Sequence, residues 1–354
     1  MKLGLGLYRQ SLDDATMRFA RQCGCTHIVA HLTNYFANRD LAISSGDDGG
    51  WGSCEGDPLW SQDELDGLVV LARKHGLEIA ALENFNPAHW YDVLLDGPKR
   101  ASQIEDLKQL IRRIGKAGIP VMGYNFSIAG VWGWTRGPYA RAGAQSVGLD
   151  IGEFDPDRPI PNGMVWNMTY DRNAPPGNVP AISADELWQR IERFLADMLP
   201  VAEEEGVALA CHPDDPPLEN LRLAARGINS PAAYERLIAL DPSPANRIEL
   251  CLGSIQEMAS ADVYEVARKW LAEDRIGYIH FRNVKGRVPC YREVFVDEGD
   301  IDMVRMMRLL HDGGYDGVLI PDHTPALDCS APWHAGMAFA LGYMRACIQA
   351  VERL

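Results

Sequence analysis

Four short apolar runs in the C-terminal half of the chain have the hydrophobic pattern of buried β-strands. The runs are Val207–His212, Arg247–Cys251, Ile276–Phe281 and Gly317–Asp322. They are rich in Val, Ile and Leu, and each is too short to form a helix. Because segments of helical length separate them, the pattern predicts parallel strands within one sheet.

Apolar runs of strand length also alternate with segments of helical length in the N-terminal half of the chain. It predicts strands at Leu3–Leu7, Thr26–Ala30, Leu77–Leu82 and Ile119–Gly123. Helices are predicted from Ser11 to Gln22, from Ser61 to Gly76, from Lys99 to Ala117, from Ser183 onward, and at about 230–239, 255–273, 300–311 and 334–352. Two helix starts carry capping boxes, which are Ser61 with Glu64 and Ser183 with Glu186.

The eight predicted strand–helix units indicate an α/β fold, a (β/α)8 TIM barrel that forms a single domain over residues 1–354. A doubly wound open sheet is the alternative. That fold usually carries a nucleotide-binding loop, and the sequence contains neither GxGxxG nor GxxxxGK[ST].

Two regions of the chain lack helical or strand periodicity. Residues 126–180 include WGWTRGPYARAGA and NAPPGNVP, and they have too few periodic apolar positions for a core of their own. We interpret this region as an insertion that forms a lid over the barrel mouth. A long Gly-rich loop between Ala30 and Trp60 is the second region, and loops of this length are often functional or mobile.

Composition and charge narrow the range of partners. Hydrophobic residues make up 47% of the 354, and the formal net charge is −15. This charge disfavours binding to nucleic acids or anionic membranes, although an anionic small molecule can still bind beside a local Arg or a metal. The eight cysteines include no CxxC pair, which indicates reduced thiols and a cytoplasmic protein. No segment reads as a signal peptide or as a membrane span.

The candidate chemistry lies where the four C-terminal runs end. Each ends in a residue type that binds metals, namely His212, Cys251, His280 and Asp322. A barrel would bring all four side chains to its C-terminal rim, where TIM barrels hold their active sites. One such His alone is more often a core residue, and a lone Cys is usually a buried apolar thiol. The four together predict a metal site, and the soft thiolate favours Zn²⁺ or Fe²⁺ over Mn²⁺.

Several segments taken together resemble the mannonate dehydratase family, whose barrel is of the xylose-isomerase-like type. They are LARKHGLEIAALEN, IRRIGKAGIPVMGYNF, WTR, CHPDDPP, LCLGS, YIHFRN, EGDIDM and IPDH, in that order. The resemblance implies conversion of D-mannonate to 2-keto-3-deoxy-D-gluconate in hexuronate catabolism. It also implies a divalent metal, Mn²⁺ first with Fe²⁺ or Zn²⁺ open, and ligands that match the four residues above.

The resemblance also assigns catalytic candidates. His323 matches a catalytic His of the family, and Asp322 is considered for proton transfer in addition to metal binding. The family carries a Tyr in a G-Y-S stretch soon afterwards, but this chain reads APWHAGM there. His334 is therefore considered as a replacement acid or base.

Five residues are candidates for substrate binding. Arg suits a substrate carboxylate because its fork makes two parallel hydrogen bonds, whereas an exposed Arg often forms only a surface ion pair. The candidates are Arg136, Asn125, Trp134, Glu83 and His89.

Three functions are compatible with these observations. The first is a metal-dependent sugar-acid dehydratase, a hydro-lyase that acts on a small anionic substrate. The second is a metal-dependent sugar isomerase or epimerase on the same kind of barrel. The third is a non-catalytic relative that binds a sugar acid but has lost an acid or base. We expect a homo-oligomer that binds neither nucleic acid nor membrane.

Overall fold

The computed structural model describes residues 1–35 and 51–353 and contains a closed barrel of parallel strands. The barrel strands, numbered in chain order, are β1 (Lys2–Tyr8), β2 (His27–His31), β3 (Glu78–Glu83), β4 (Val121–Tyr124), β5 (Ala208–Cys211), β6 (Asn246–Cys251), β7 (Ile276–His280) and β8 (Val318–Ile320). They are hydrogen-bonded in the order β1-β8-β7-β6-β5-β4-β3-β2, and β2 pairs with β1 to close the ring. This confirms the TIM barrel and excludes the open sheet.

Helices connect successive barrel strands on the outside. Those in the described residues are α1 (Asp14–Gln22), α2 (Gln62–Lys74), α3 (Pro87–Leu95), α4 (Arg100–Lys116), α5 (Ala184–Glu204), α6 (Pro231–Leu240), α7 (Leu252–Glu257), α8 (Val263–Ala272), α9 (Met303–Asp312) and α10 (Pro332–Val351). Ser61 and Ser183 form the two predicted capping boxes at α2 and α5. None of the helices in the described parts of the chain is long and apolar enough to span a membrane.

Three helices differ from the predictions. Helix α1 begins after Asp13, whose carboxylate accepts a hydrogen bond from the Thr16 amide, whereas Ser11 lies in a 3-10 turn. The helix predicted at 255–273 is interrupted, because α7 ends at Glu257 and Asp262 caps α8. Helix α3 was not predicted because most of its length is buried, so it lacks the polar face that reveals a surface helix.

The interior of the barrel contains mostly small side chains. Successive residues of a strand point to opposite sides, so one set faces the helices and the other faces the barrel axis. Val29, Ala81, Ala210, Tyr278 and Ile320 belong to the buried cluster inside the barrel. Because most of these side chains are small, the interior has room for one large ring, that of Tyr278, below the rim.

The predicted insertion forms two small sheets. Thr135–Gly137 and Ser146–Asp150 join Cys290–Glu293 and Val284–Arg287 in a four-stranded antiparallel sheet, here called the accessory sheet. A second sheet contains Gly52–Ser53, Met164–Val165 and Met168–Thr169. Most of the Gly-rich loop before Trp60 falls at residues 36–50, which lie outside the described residues.

Candidate active site

The polar side chains at the C-terminal rim share the inward face of the barrel. Each of His31, Glu83, His212, His280 and Asp322 lies two residues after a member of the interior cluster, at Val29, Ala81, Ala210, Tyr278 and Ile320. Since the side chains of a strand alternate, this spacing puts the polar residues directly above the apolar interior. The side chains that form the rim are Tyr8, His31, Glu83, Asn125, His212, Cys251, His280 and Asp322.

Three of the four predicted metal ligands come together. The donor atoms of His212, Cys251 and His280 all lie within 4.8 Å of one another. The fourth, Asp322, adjoins this group because its Oδ2 lies 3.4 Å from His280 Nδ1. The backbone of Asp322 has a φ of 61°, in the left-handed region that is strained for a residue other than glycine.

A second donor group shares His280. Glu83, Glu249 and His280 also have donor atoms within 4.8 Å of one another. His280 Nε2 lies 3.2 Å from Glu83 Oε2 and 2.8 Å from Glu249 Oε1. Glu83, expected to bind substrate, therefore lies among the metal-binding candidates. The sequence analysis missed Glu249, although its position two residues before Cys251 in IELC places both side chains on the same face of β6.

The electrostatics of Cys251 in the first donor group and of Glu83 in the second favour a bound cation. Burial alone would raise the pKa of the Cys251 thiol, but Arg282, His212 and His280 together lower it to about 5. The thiolate, which is the form that binds metals, is therefore present at neutral pH. Likewise burial would raise the pKa of Glu83, whereas His31 and His280 lower it to about 2.

Glu249 provides an independent test of whether a cation fits. It is fully buried, and burial together with Glu83 raises the pKa of its carboxyl. Its Oε2 accepts a hydrogen bond of 2.5 Å from the Tyr278 hydroxyl, whereas its Oε1 lies 2.8 Å from His280 Nε2 and accepts no bond of hydrogen-bond geometry within the described residues. A buried carboxylate oxygen without a donor is costly unless a cation neutralises it. The Cys, His and carboxylate donors thus fit a divalent metal.

Gly123 on β4 makes room for this arrangement. A Cβ at Gly123 would lie 2.2 Å from the Tyr278 hydroxyl and 2.9 Å from Glu249 Oε2. We expect Gly123→Ala to displace both groups, to lower metal affinity and to destabilise the fold by about 1–3 kcal/mol, the usual cost of overpacking. Chemical denaturation and metal titration measure both effects. Gly67→Ala is the matched control, since a Cβ there meets nothing within 4 Å. Wild-type metal affinity in Gly123→Ala would contradict the prediction.

On one side of the donor groups lies His323. Its Nδ1 contacts Glu293 Oε2, and its Nε2 lies 3.4 Å from Asp322 Oδ2. The Trp134 ring packs edge-on against the imidazole, with ring centroids 5.4 Å apart. Trp134, a predicted substrate contact, and Glu293 both come from the accessory sheet region, so the insertion forms one wall of the site.

A buried ionic network lies behind this wall. Arg282 donates to Asp215 Oδ2 at 2.8 Å and forms an ion pair with Glu257. The Ser254 hydroxyl donates to the same Asp215 oxygen at 3.1 Å and lies 3.2 Å from Cys251 Sγ. Arg282 directly follows Phe281 and lies two residues after His280, so strand alternation could have revealed it. The network holds the Cys251 thiolate, and the side of the site that carries His323, in fixed positions.

On the other side of the donor groups lie aromatic rings. Trp166 Nε1 donates to Asn125 Oδ1 at 3.3 Å, and Asn125 Nδ2 lies 3.5 Å from His212 Nδ1. The Trp166 ring also packs at 5.6 Å from that of Tyr35, whose hydroxyl lies 2.9 Å from His31 Nδ1. Trp166 has a φ of 53°, which costs about 1–3 kcal/mol for such a residue. Asn125 thus joins the metal-binding candidates to an aromatic wall.

Three predicted site residues are not joined to this cluster by any described contact. Arg136 is exposed on the accessory sheet. His89 is buried in α3, where its Nε2 lies 2.9 Å from the Pro58 carbonyl oxygen. His334 is exposed on α10 and packs against the Phe19 ring in the outer helical layer. Because no described contact joins His334 to the rim, the structure gives no support to its role as a replacement for the family Tyr, which remains an untested prediction.

A (β/α)8 barrel with buried His, Cys and carboxylate donors at its C-terminal rim defines a class of metal-binding barrel enzymes. The comparison with known families is more specific. The family model described as D-mannonate dehydratase (UxuA) matches residues 1–353. The chain therefore belongs to the D-mannonate dehydratase family, whose members are hydro-lyases, and the predicted family and enzyme class are confirmed.

Individual relatives agree with this assignment. Mannonate dehydratase 2 of Halalkalibacterium halodurans is 31% identical over 277 residues, covering 75% of this chain and 79% of the relative. A mannonate dehydratase of Streptococcus suis is 34% identical over 276 residues, covering 75% and 74%.

Solved structures agree as well. The crystal structure of mannonate dehydratase from Streptococcus suis serotype 2 covers 100% of this chain and 95% of its own, with a TM-score of 0.76 and 28% identity. The D-psicose 3-epimerase of Clostridium cellulolyticum H10 is only 14% identical, with a TM-score of 0.58 and coverage of 98% and 99%. This second likeness shows a shared barrel fold alone, so it does not favour the epimerase alternative.

Proposed function

We propose that this enzyme dehydrates an aldonate such as D-mannonate, giving a 2-keto-3-deoxy acid and water. The observation that carries the proposal is the position of His323 at the edge of the donor groups. Its imidazole lies 3.4 Å from Asp322, which in turn lies 3.4 Å from His280. A proton-transfer group thus adjoins the place where a metal-bound substrate would sit.

The reaction needs an acid and a base on a poorly reactive substrate. The C2–H bond breaks, and its proton passes to a base of the protein. The C3–O bond then breaks, and the departing hydroxyl takes a proton to leave as water. The resulting enol tautomerises to the 2-keto acid. A divalent cation, when bound, would stabilise the negative charge that develops beside the substrate carboxylate.

In this proposal, different residues bind the metal, transfer protons and contact the substrate. His212, Cys251, His280 and Asp322 would hold the cation, and Glu83 and Glu249 are added to the candidates by their contacts with His280. His323 transfers a proton at Nε2, and Asp322 is the second candidate for proton transfer. Asn125 and Trp134 contact substrate hydroxyls or carbon atoms. Arg136 has no part in this scheme, because its side chain is exposed.

We propose Mn²⁺ as the resident metal on the basis of the family resemblance, with Fe²⁺ and Zn²⁺ as alternatives. The thiolate of Cys251 supports the alternatives, since sulfur is a softer ligand than Mn²⁺ prefers. We further propose that the enzyme acts in the cytoplasm on a small anionic substrate, without nucleic acid or membrane partners. A homo-oligomer remains a prediction, which light scattering of the purified protein can check.

The decisive experiment is an assay for 2-keto-3-deoxy acid release from a panel of aldonates. The purified protein is loaded separately with Mn²⁺, Fe²⁺ or Zn²⁺ and incubated with each aldonate. Release of the keto acid from at least one aldonate is expected. A matched panel of aldoses and ketoses tests the isomerase alternative. Interconversion of sugars without keto acid release would overturn the dehydratase assignment, and binding without any turnover would favour the non-catalytic alternative.

We also expect residues 126–180 to close over the substrate. Their accessory sheet brings Trp134 to His323, while most of residues 172–180 are exposed. Limited proteolysis should therefore cut this region more slowly when an aldonate and metal are present. Cleavage within exposed parts of α4 provides the internal control, because that helix lies outside the mouth. Equal cleavage of 126–180 with and without substrate would contradict closure.

A further inference from the structure

A cavity opens at the N-terminal end of the barrel, on the face opposite to the candidate active site. It has a volume of about 760 Å³, which falls within the ~300–1,000 Å³ typical of small-molecule pockets. The residues that line it include the first part of five barrel strands, at Lys2, His27, Glu78, Val121 and Val318. Because the candidate metal ligands lie where the strands end, this N-terminal cavity is separate from the active site.

The inner end of the N-terminal cavity is apolar. Ile79, Ala80 and Val318 line it and are buried. Tyr278 also lines it, is only 1% exposed, and donates its hydroxyl hydrogen to Glu249 on the rim side. Tyr278 therefore separates the cavity from the metal-binding candidates, and the cavity offers a ligand an apolar floor.

The mouth of the N-terminal cavity carries an excess of positive charge. Lys2, Arg21 and Arg73 line it and are exposed, and none of the three forms an ion pair within the described residues. Glu78 is the one acidic residue among the described residues that line the cavity, and its Oε2 lies 3.4 Å from His27 Nε2. The whole chain has a formal net charge of −15, so three cations without acidic partners at one opening create a local positive potential.

We propose that the N-terminal cavity binds a small multivalent organic anion. Its phosphate or carboxylate groups pair with Lys2, Arg21 and Arg73, since Arg and Lys side chains recognise both kinds of group. Its carbon skeleton occupies the apolar floor, which an inorganic ion would leave unused. This second ligand site goes beyond the dehydration proposed above and does not depend on it.

Calorimetric titration of the Mn²⁺-loaded protein tests the site and distinguishes the two kinds of anion. The probes are glucose 6-phosphate, tricarballylate, inorganic phosphate and, as the neutral control, glucose. At least one of the two organic anions should bind with a millimolar or lower Kd, and the affinity should fall as the salt concentration rises. The organic anion that binds identifies the preferred charged group. Binding of neither organic anion, binding of inorganic phosphate alone, or equal binding of glucose would overturn the proposal.

Variants at the mouth provide a matched comparison. Arg73→Gln should weaken binding of the anion by about 2–5-fold, and adding Lys2→Gln should bring the loss to about 4–25-fold, because exposed ion pairs are individually weak. Lys74→Gln is the control, since Lys74 is the next residue of α2 but pairs with Asp14 and does not line the cavity. Wild-type affinity in the double variant would overturn the proposal. An equal loss in Lys74→Gln and Arg73→Gln would also overturn it, because surface charge in general would then explain the binding.

Hydrogen exchange shows where the anion binds. The bound anion should slow amide exchange at residues 21–27 and 73–78, which surround the mouth of the N-terminal cavity. Protection confined to the C-terminal rim would overturn the proposal, because the anion would then occupy the active site. Neither measurement needs turnover. Binding at the N-terminal cavity in a protein that dehydrates no aldonate would therefore refute the proposed function and support this second site.

Discussion

Replacing His212 and His280 together with alanine should remove the bound metal and lower turnover by more than about 100-fold. His280 belongs to both donor groups, so the double variant leaves one member, Cys251, in the first group and two in the second. Even residues outside the direct ligand shell contribute about 10–100-fold in metal affinity or activity, and direct ligands should contribute more. Elemental analysis of purified protein and keto acid release from the active aldonate measure the two effects.

Controls for this experiment come from the same chain. His311→Ala removes a surface histidine that pairs with Asp312 and should leave metal content and turnover unchanged. The double variant also removes both histidine partners of Glu249 and leaves Glu83 with His31 alone, which can destabilise the fold. Cys251→Ser therefore serves as a milder variant, since it keeps the volume and weakens a soft ligand. Equal metal content in the wild type, the double variant and Cys251→Ser would refute the metal site.

His323→Asn should lower turnover by about 10²–10⁴-fold while metal content stays at the wild-type level. The size is that of a lost general acid or base, and Asn preserves hydrogen bonding without proton transfer. Metal should remain because the donor groups do not include His323. Steady-state kinetics with parallel metal analysis check both statements.

The matched control is His334→Asn, a histidine only a short distance further along the chain. It packs against Phe19 and Trp333 on the outside, so its replacement should leave turnover within a factor of about two. If instead His334→Asn is as inactive as His323→Asn, α10 must adopt another position during the reaction. If both variants are active, the proton-transfer group lies elsewhere on the rim.

The barrel could be predicted because the sequence features that indicate its strands and helices are local. Hydrophobic runs of strand length alternate with amphipathic helices, and the Ser61 and Ser183 capping boxes mark helix starts in the sequence itself. Once the strands are parallel, their C-terminal ends must meet, so the proximity of His212, Cys251 and His280 follows from their positions alone. Glu249 lies two residues before Cys251, and Arg282 lies two residues after His280. Because side chains alternate along a strand, the sequence could also have identified these two residues.

The tertiary structure alone decided which residues flank those donors. Glu293 reaches His323 only because the accessory strand pairs with Ser146–Asp150 and is carried over the rim, a pairing without local periodicity to reveal it. Arg136, by contrast, resembles a family motif, but the pleat of its short strand turns it to solvent. His334 follows the last strand closely in sequence, yet α10 places it in the outer layer. Local hydrophobic patterns thus determined the barrel and its metal-binding candidates, whereas long-range pairing of irregular segments decided the acid–base surroundings.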